Sequence, residues 1–138
     1  MVKLIVGAKG QGKTKRLLEL ANARIRDDDE EIIVFIDYRT RSTYNLHHKI
    51  RLVETYDYPL SNYREFVGFV CGILSQNHDI AYIFVDSLSD IVKSLSNEDL
   101  VKLLAKLGQL SKDNEFDIYL GLTCDAAELP DEAKKMLA

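Results

Sequence analysis

The chain has little of what most readily marks an extracellular, metal-stapled or membrane-embedded protein. Among its 138 residues are two cysteines, Cys71 and Cys124, too far apart in sequence for a CxxC metal pair and too few for a disulfide framework. They read as reduced, half-buried thiols. No apolar run approaches the ~18 residues that a membrane span needs. The opening MVKLIVGAKG has one lysine and a short apolar stretch, below the ~7–15 apolar residues of a signal-peptide core. The expected setting is therefore cytoplasmic, without membrane contact. A net charge of −4 argues against a surface that holds nucleic acid by charge alone. There are no repeats, low-complexity tracts or interdomain linkers.

What remains is an ordinary globular composition, 46% hydrophobic and 29% charged, at a length that suits one domain, residues 1–138. Short apolar runs alternate with helical patterns. VKLIV (2–6), IIVFID (32–37), IRLVET (50–55), IAYIFV (80–85) and FDIYLGLT (116–123) read as strands. Several are apolar at nearly every position, which suits strands covered on both faces of a parallel sheet. Between them lie a helix from GKTKRLLELANARI and a second one with Tyr63, Phe66, Val67, Val70, Cys71 and Leu74 on one face. A short helix or turn follows residue 86. Another helix starts at Ser96, with Asp99 three residues on, and a terminal helix starts at Pro130. The fold expected is α/β, a three-layer sandwich around a mainly parallel five-stranded sheet. Ligands on such sheets bind at the carboxyl ends of the strands. Gly7, Asp37 and Asp86, which end three strands, should share one rim.

Directly after the first strand the chain spends three glycines in eight residues, GAKGQGKT, although glycine weakens helices and strands alike. The stretch fits G-x-x-x-x-G-K-[ST] at Gly7, Gly12, Lys13 and Thr14, between an apolar strand and an amphipathic helix. Glycines let successive amide N–H groups turn inward as a nest for anionic oxygens, and the helix N-terminus adds its partial positive charge. Gly7, Ala8, Lys9, Gly10, Gln11, Gly12, Lys13, Thr14 and Lys15 are therefore the candidate nucleotide-binding residues. Lys13 would reach the β- and γ-phosphates, and the Thr14 hydroxyl would hold Mg²⁺. Asp86, ending a buried strand, would supply a metal-binding carboxylate, with Asp37 as a rival for that role.

GAKGQGKT together with IFVDS resembles the Walker A and Walker B pair of P-loop NTPases, and VDS and VFIDYRT are most similar to the RecA-like ATPase core. That resemblance implies ATP with Mg²⁺ as the ligand and catalytic roles for Lys13 and Asp86. It also implies a sheet in which the strand 116–123 lies between strands 2–6 and 80–86. It implies a water-activating glutamate, where this chain has Arg39; Ser87 occupies the other common position for that base. Turnover should then be slow, unless Asp37, Glu54 or a group from a protein partner or second copy completes the site. Thr123, after the last strand, matches the place of a polar γ-phosphate sensor, and Arg39 is an accessory candidate. The thymidine-kinase zinc module needs four cysteines, and the N-K-x-D motif of GTPases is absent, so adenine is favoured by default. The alternatives to a slow ATPase are a nucleotide-binding regulatory module without turnover and a small-molecule kinase.

Residues 38–51 carry Arg39, Arg41, Lys49 and Arg51 with Tyr38, Tyr44, His47 and His48, and no acid. The segment reads as a solvated loop that offsets the acidic turn at 27–31. A single-strand nucleic-acid contact is its less favoured reading. Neighbouring histidines do not easily face one ion, so no metal site beyond Mg²⁺ is assigned.

Overall fold

The computed structural model describes residues 1–26, 30–40 and 45–138. Asp27 to Asp29 of the acidic turn, and Arg41 and Tyr44 of the basic segment, lie outside the described residues. Five strands form one sheet: β1 (Val2–Gly7), β2 (Ile32–Asp37), β3 (Arg51–Glu54), β4 (Ile80–Val85) and β5 (Asp117–Thr123). Their order across the sheet is β1-β5-β4-β2-β3, and every neighbouring pair is parallel. The strand at 117–123 thus lies between β1 and β4, in the order the resemblance implies.

Among the described residues there are also five α-helices, α1 (Lys13–Ala23), α2 (Tyr63–Gln76), α3 (Leu88–Ile91), α4 (Asn97–Asn114) and α5 (Asp131–Lys134), and a short 3-10 helix at Ala126–Glu128. Successive side chains of a strand point to opposite faces, and the sheet sorts them into two cores. Ile5, Ile33, Phe35, Phe84 and Tyr119 pack with Leu17 and Ala21 of α1. Leu4, Val34, Ile36, Ile83, Val85, Ile118 and Leu120 pack with residues of α2, α3, α4 and α5. Helices therefore flank the sheet on both faces, consistent with a three-layer sandwich. Among the described residues no helix is long and apolar enough to cross a membrane.

Helix starts follow local chemistry. Asn62 caps α2 by accepting the Glu65 N–H at 2.9 Å, and the Glu65 carboxylate accepts from the Asn62 and Ser61 N–H groups in return. Those bonds, chiefly from Ser61, hold Glu65 below the ordinary carboxylate range. Ser96 caps α4 by accepting the Asp99 N–H at 3.1 Å. The terminal helix is four residues long, with Pro130 as its N-cap residue. The chain then lies against β1: Leu4 donates to the Met136 carbonyl at 2.7 Å, and Ala138 donates to the Leu4 carbonyl at 2.9 Å. This strand-like tail shields one sheet edge. One reading from periodicity is corrected. Cys124 is half-buried but Cys71 is exposed, because the buried stripe of α2 runs Tyr63, Phe66, Val70 and Leu74, and Cys71 sits a turn-step beyond it.

Candidate functional site at the carboxyl rim

A fully parallel sheet puts every strand's carboxyl end on one rim, and the chemistry-bearing residues gather there. Along it stand Gly7 and Thr123, paired in register, then Asp86 after β4, Asp37 ending β2 and Glu54 paired with it on β3.

Between β1 and α1 the backbone curls. Gly10 and Gly12 both have φ +83°, a left-handed conformation costly for any residue with a Cβ. Gln11 N–H donates to the Ala8 carbonyl at 3.2 Å, and the Gln11 side-chain oxygen accepts the Ala8 N–H at 2.6 Å. The Lys13 ammonium turns back over the loop, donating to the carbonyls of Gly7 at 3.1 Å and Ala8 at 2.9 Å. An ammonium has three donors, so these bonds hold it at the mouth of the loop with capacity for another acceptor. Ala8, Lys9, Gly10, Gln11 and Gly12 are exposed, and Lys13 and Thr14 are half-buried at the start of α1. Lys15 is exposed one residue further on.

The N-terminus of α1 differs from its counterparts. Its N-cap is Gly12, with no side-chain cap bond, and its first turn holds no acid. The first turn of α2 contains Glu65, and that of α4 contains Glu98 and Asp99. The positive end of the α1 dipole is thus left unopposed from within the helix, beside Lys13, Lys15 and Arg16.

Facing this end is Asp86, which is 2% exposed. Its Oδ2 accepts from Thr14 Oγ1 at 2.6 Å and its Oδ1 accepts the Ser87 N–H at 2.9 Å. Ser87 has φ 60°, unusual for a residue with a side chain, and it begins the turn into α3. Residues 72 positions apart in sequence are therefore joined at hydrogen-bond distance.

Asp37 is equally buried, but its Oδ1 accepts from the N–H of its own neighbour Tyr38, at 2.7 Å. Arg39 is not directed toward the glycine loop. Its guanidinium lies 4.8 Å over the ring of Tyr56, toward β3, the strand furthest from β1. Glu54 accepts both the N–H and the hydroxyl of Thr40, at 2.8 and 3.0 Å. Thr123 is exposed beside the loop, and its N–H donates to Ser89 Oγ at 3.3 Å.

Sequence reading missed three contributors. A Cβ at Gly121 on β5 would sit 2.9 Å from Leu17 Cδ1 and 3.4 Å from Asp86 Oδ1, so its absence lets α1 lie close to the sheet next to Asp86. An isolated glycine within a strand pattern was the available signal. Ser89 is placed by the turn after Asp86 and had no motif to announce it. Cys124 was read only as a reduced, half-buried thiol outside any metal pair or disulfide. Burial, then the charges of Glu128 and Asp125, push its thiol up, and the positive charge of Lys13 partly opposes them. A cleft of about 220 Å³ opens at this end of β5, with Ser89, Lys93, Thr123 and Cys124 among its lining.

No protein-family profile and no curated protein matches this chain. Among the described residues no group of three or more histidines, cysteines or carboxylates could hold a metal ion.

Proposed function

We propose that this chain is a P-loop protein of the RecA-like kind that binds ATP with Mg²⁺ and hydrolyses it slowly. The observation that carries this reading is the 2.6 Å contact between Thr14 and Asp86, made beside a loop curled at Gly10 and Gly12. A glycine turn alone has many uses. A hydroxyl at the start of the following helix, held against a carboxylate from another strand, is the pairing a phosphate-bound magnesium would need.

The donor set suits the ion. Mg²⁺ is a hard cation that takes oxygen ligands and keeps several waters, so one hydroxyl and one carboxylate, with phosphate oxygens, suffice without a cluster of protein ligands. When bound, it would neutralise charge on the phosphate oxygens. In this reading the amides of Gly10 to Lys15 cradle the polyphosphate. Lys13 exchanges its bonds to the Gly7 and Ala8 carbonyls for phosphate oxygens. Ser87 N–H would keep the Asp86 carboxylate oriented, and Thr14 Oγ1 would offer a lone pair to the ion while its proton stays directed at Asp86.

Slow turnover follows from what faces the water. Arg39 stands where the resembled family carries a carboxylate, and Glu54 is engaged by Thr40 on the outermost strand. A nucleophilic water without a positioned proton acceptor is poorly oriented. The same two observations favour, as a second reading, a regulatory module that binds nucleotide without turnover. A protein partner or second copy supplying the missing group would reconcile the two. Calorimetry with ATP, ADP and GTP, with and without Mg²⁺, followed by an overnight phosphate-release assay, tests both. Mg²⁺-dependent binding with slow release supports the first reading, and binding without release the second. No heat with millimolar nucleotide refutes the phosphate-loop assignment.

A further inference from the structure

We propose, resting on the phosphate-loop reading, that Gln11 is a positioning residue: its side-chain oxygen ties down the Ala8 N–H and keeps the glycine loop curled before an anion arrives. Ala8 to Gln11 form a β-turn, closed by Gln11 N–H donating to the Ala8 carbonyl at 3.2 Å. Gly10 supplies a φ of +83° at the third position of that turn. The closing bond is at the long end of the ordinary range. The Gln11 side chain reciprocates across the same turn, its Oε1 accepting the Ala8 N–H at 2.6 Å. Residues 8–12 are exposed, so packing contributes little to holding the turn shut.

Gly7 makes room for this side chain. A Cβ there would stand 3.1 Å from Gln11 Oε1 and 3.5 Å from Gln11 Cβ, so any larger residue would crowd it. Gly10 and Gly12, on either side of Gln11, are needed instead for their positive φ. All three glycines thus help to place one side chain, at a position that G-x-x-x-x-G-K-[ST] leaves unspecified.

The tie matters most at the moment of binding. Lys13 also holds the start of the loop, through the Gly7 and Ala8 carbonyls at 3.1 and 2.9 Å, but it releases them when its ammonium turns to phosphate. Gln11 then remains to join Ala8 to the second half of the loop. The Ala8 amide precedes the run from Gly10 to Lys15 that would cradle phosphate, so the tie takes no donor from the ligand. A loop closed for only part of the time binds more weakly in proportion to that fraction. Were the side chain instead filling the anion's place, its removal would tighten binding.

Two variants test the role. Gln11→Met keeps the length of the side chain and removes the acceptor, whereas Gln11→Glu keeps the acceptor and adds a charge beside the anion. In the ligand-free chain the Ala8 amide proton, followed by NMR, should lie downfield in the unmodified chain and in Gln11→Glu. It should move upfield in Gln11→Met. Calorimetry with ATP and Mg²⁺ should show Gln11→Met weakened about two- to tenfold, the worth of one net hydrogen bond, at both about 50 and 300 mM salt. Gln11→Glu should be weakened at the lower salt and approach the unmodified chain at the higher, where its charge is screened and its tie persists. Thermal unfolding should be the same in all three, since the residue is exposed. An unshifted Ala8 amide, or equal or tighter ATP binding by Gln11→Met, overturns the positioning role while the phosphate-loop reading stands. So does a Gln11→Glu chain as weak as Gln11→Met at the higher salt. A lower unfolding temperature accompanying the lost affinity would also overturn it, by making Gln11 a general stabiliser of the fold. Absence of ATP binding by the unmodified chain overturns both readings together.

Discussion

Two buried aspartates end neighbouring parallel strands, and their surroundings separate them. Asp86 is met from across the sheet by the hydroxyl of Thr14 and from its own turn by Ser87 N–H. Asp37 accepts from the residue that follows it. Both lie at the rim where α/β sheets bind ligands. The difference is which element comes down beside them. Against Asp86, α1 is brought in close by Gly121 and opens with an uncapped, acid-free turn. A strand-end carboxylate is common; one that faces a helix start carrying a hydroxyl and a lysine is the more specific feature.

The largest effect expected from this contrast is at the glycine loop. Lys13→Ala should remove a charge-assisted contact to phosphate on each of two oxygens, and at about 1.5–3 kcal/mol apiece affinity for ATP should fall on the order of a hundredfold or more. Calorimetry that found affinity retained within about twofold would undo the assignment.

Next come the aspartates themselves. Asn keeps the shape of Asp, and its one oxygen can accept the Ser87 N–H while its NH₂ donates to the Thr14 hydroxyl oxygen, so Asp86→Asn should fold, yet bind ATP with little dependence on Mg²⁺. Asp37→Asn should leave that dependence in place. A reversed outcome would transfer the metal role to Asp37.

Glycine positions sharpen the comparison. Gly121→Ala puts a Cβ within 2.9 Å of Leu17 and should cost about 1–3 kcal/mol in chemical denaturation, with weakened nucleotide binding as α1 shifts. Gly72→Ala, in α2 with nothing within 4 Å, should instead stabilise by about 0.4–1 kcal/mol and leave binding unchanged. Equal effects at the two sites would deny Gly121 its role.

The smallest effect concerns the thiols. With its thiol pushed up by burial and by Glu128 and Asp125, Cys124 should alkylate more slowly than exposed Cys71 at mildly alkaline pH and catch up as pH rises. Because the charge of Lys13 lowers that value, Lys13→Ala should slow Cys124 further. Mass spectrometry of the labelled peptides would report both. An unchanged rate in Lys13→Ala would mean that the lysine does not act on Cys124.

Much of the fold was legible because two periodicities write it. The doubly buried runs IIVFID and IAYIFV could hardly be anything but central strands, and β2 and β4 are adjacent in the sheet. The helix start at Ser96 was readable from a side chain that reaches its own backbone, whereas the cap at Asn62 emerged only from the structure. Periodicity misjudged Cys71, because a helical stripe has an edge that pattern alone does not draw. It also missed the tail along β1, since bonds from Leu4 to residues 136 and 138 depend on where the chain ends up in space.

For the site, the sequence by itself determined the local conformation: a strand, a turn that only glycine adopts cheaply, and a helix that begins with Lys13 and Thr14. Local chemistry needs no distant residue, so it can be read from a dozen letters. The tertiary structure alone decided that Thr14 meets Asp86, not Asp37, that Arg39 leans toward Tyr56, and that Glu54 is taken up by Thr40. These are long-range pairings fixed by strand order and by the close seating of α1 on β5, and no spacing in one dimension encodes them.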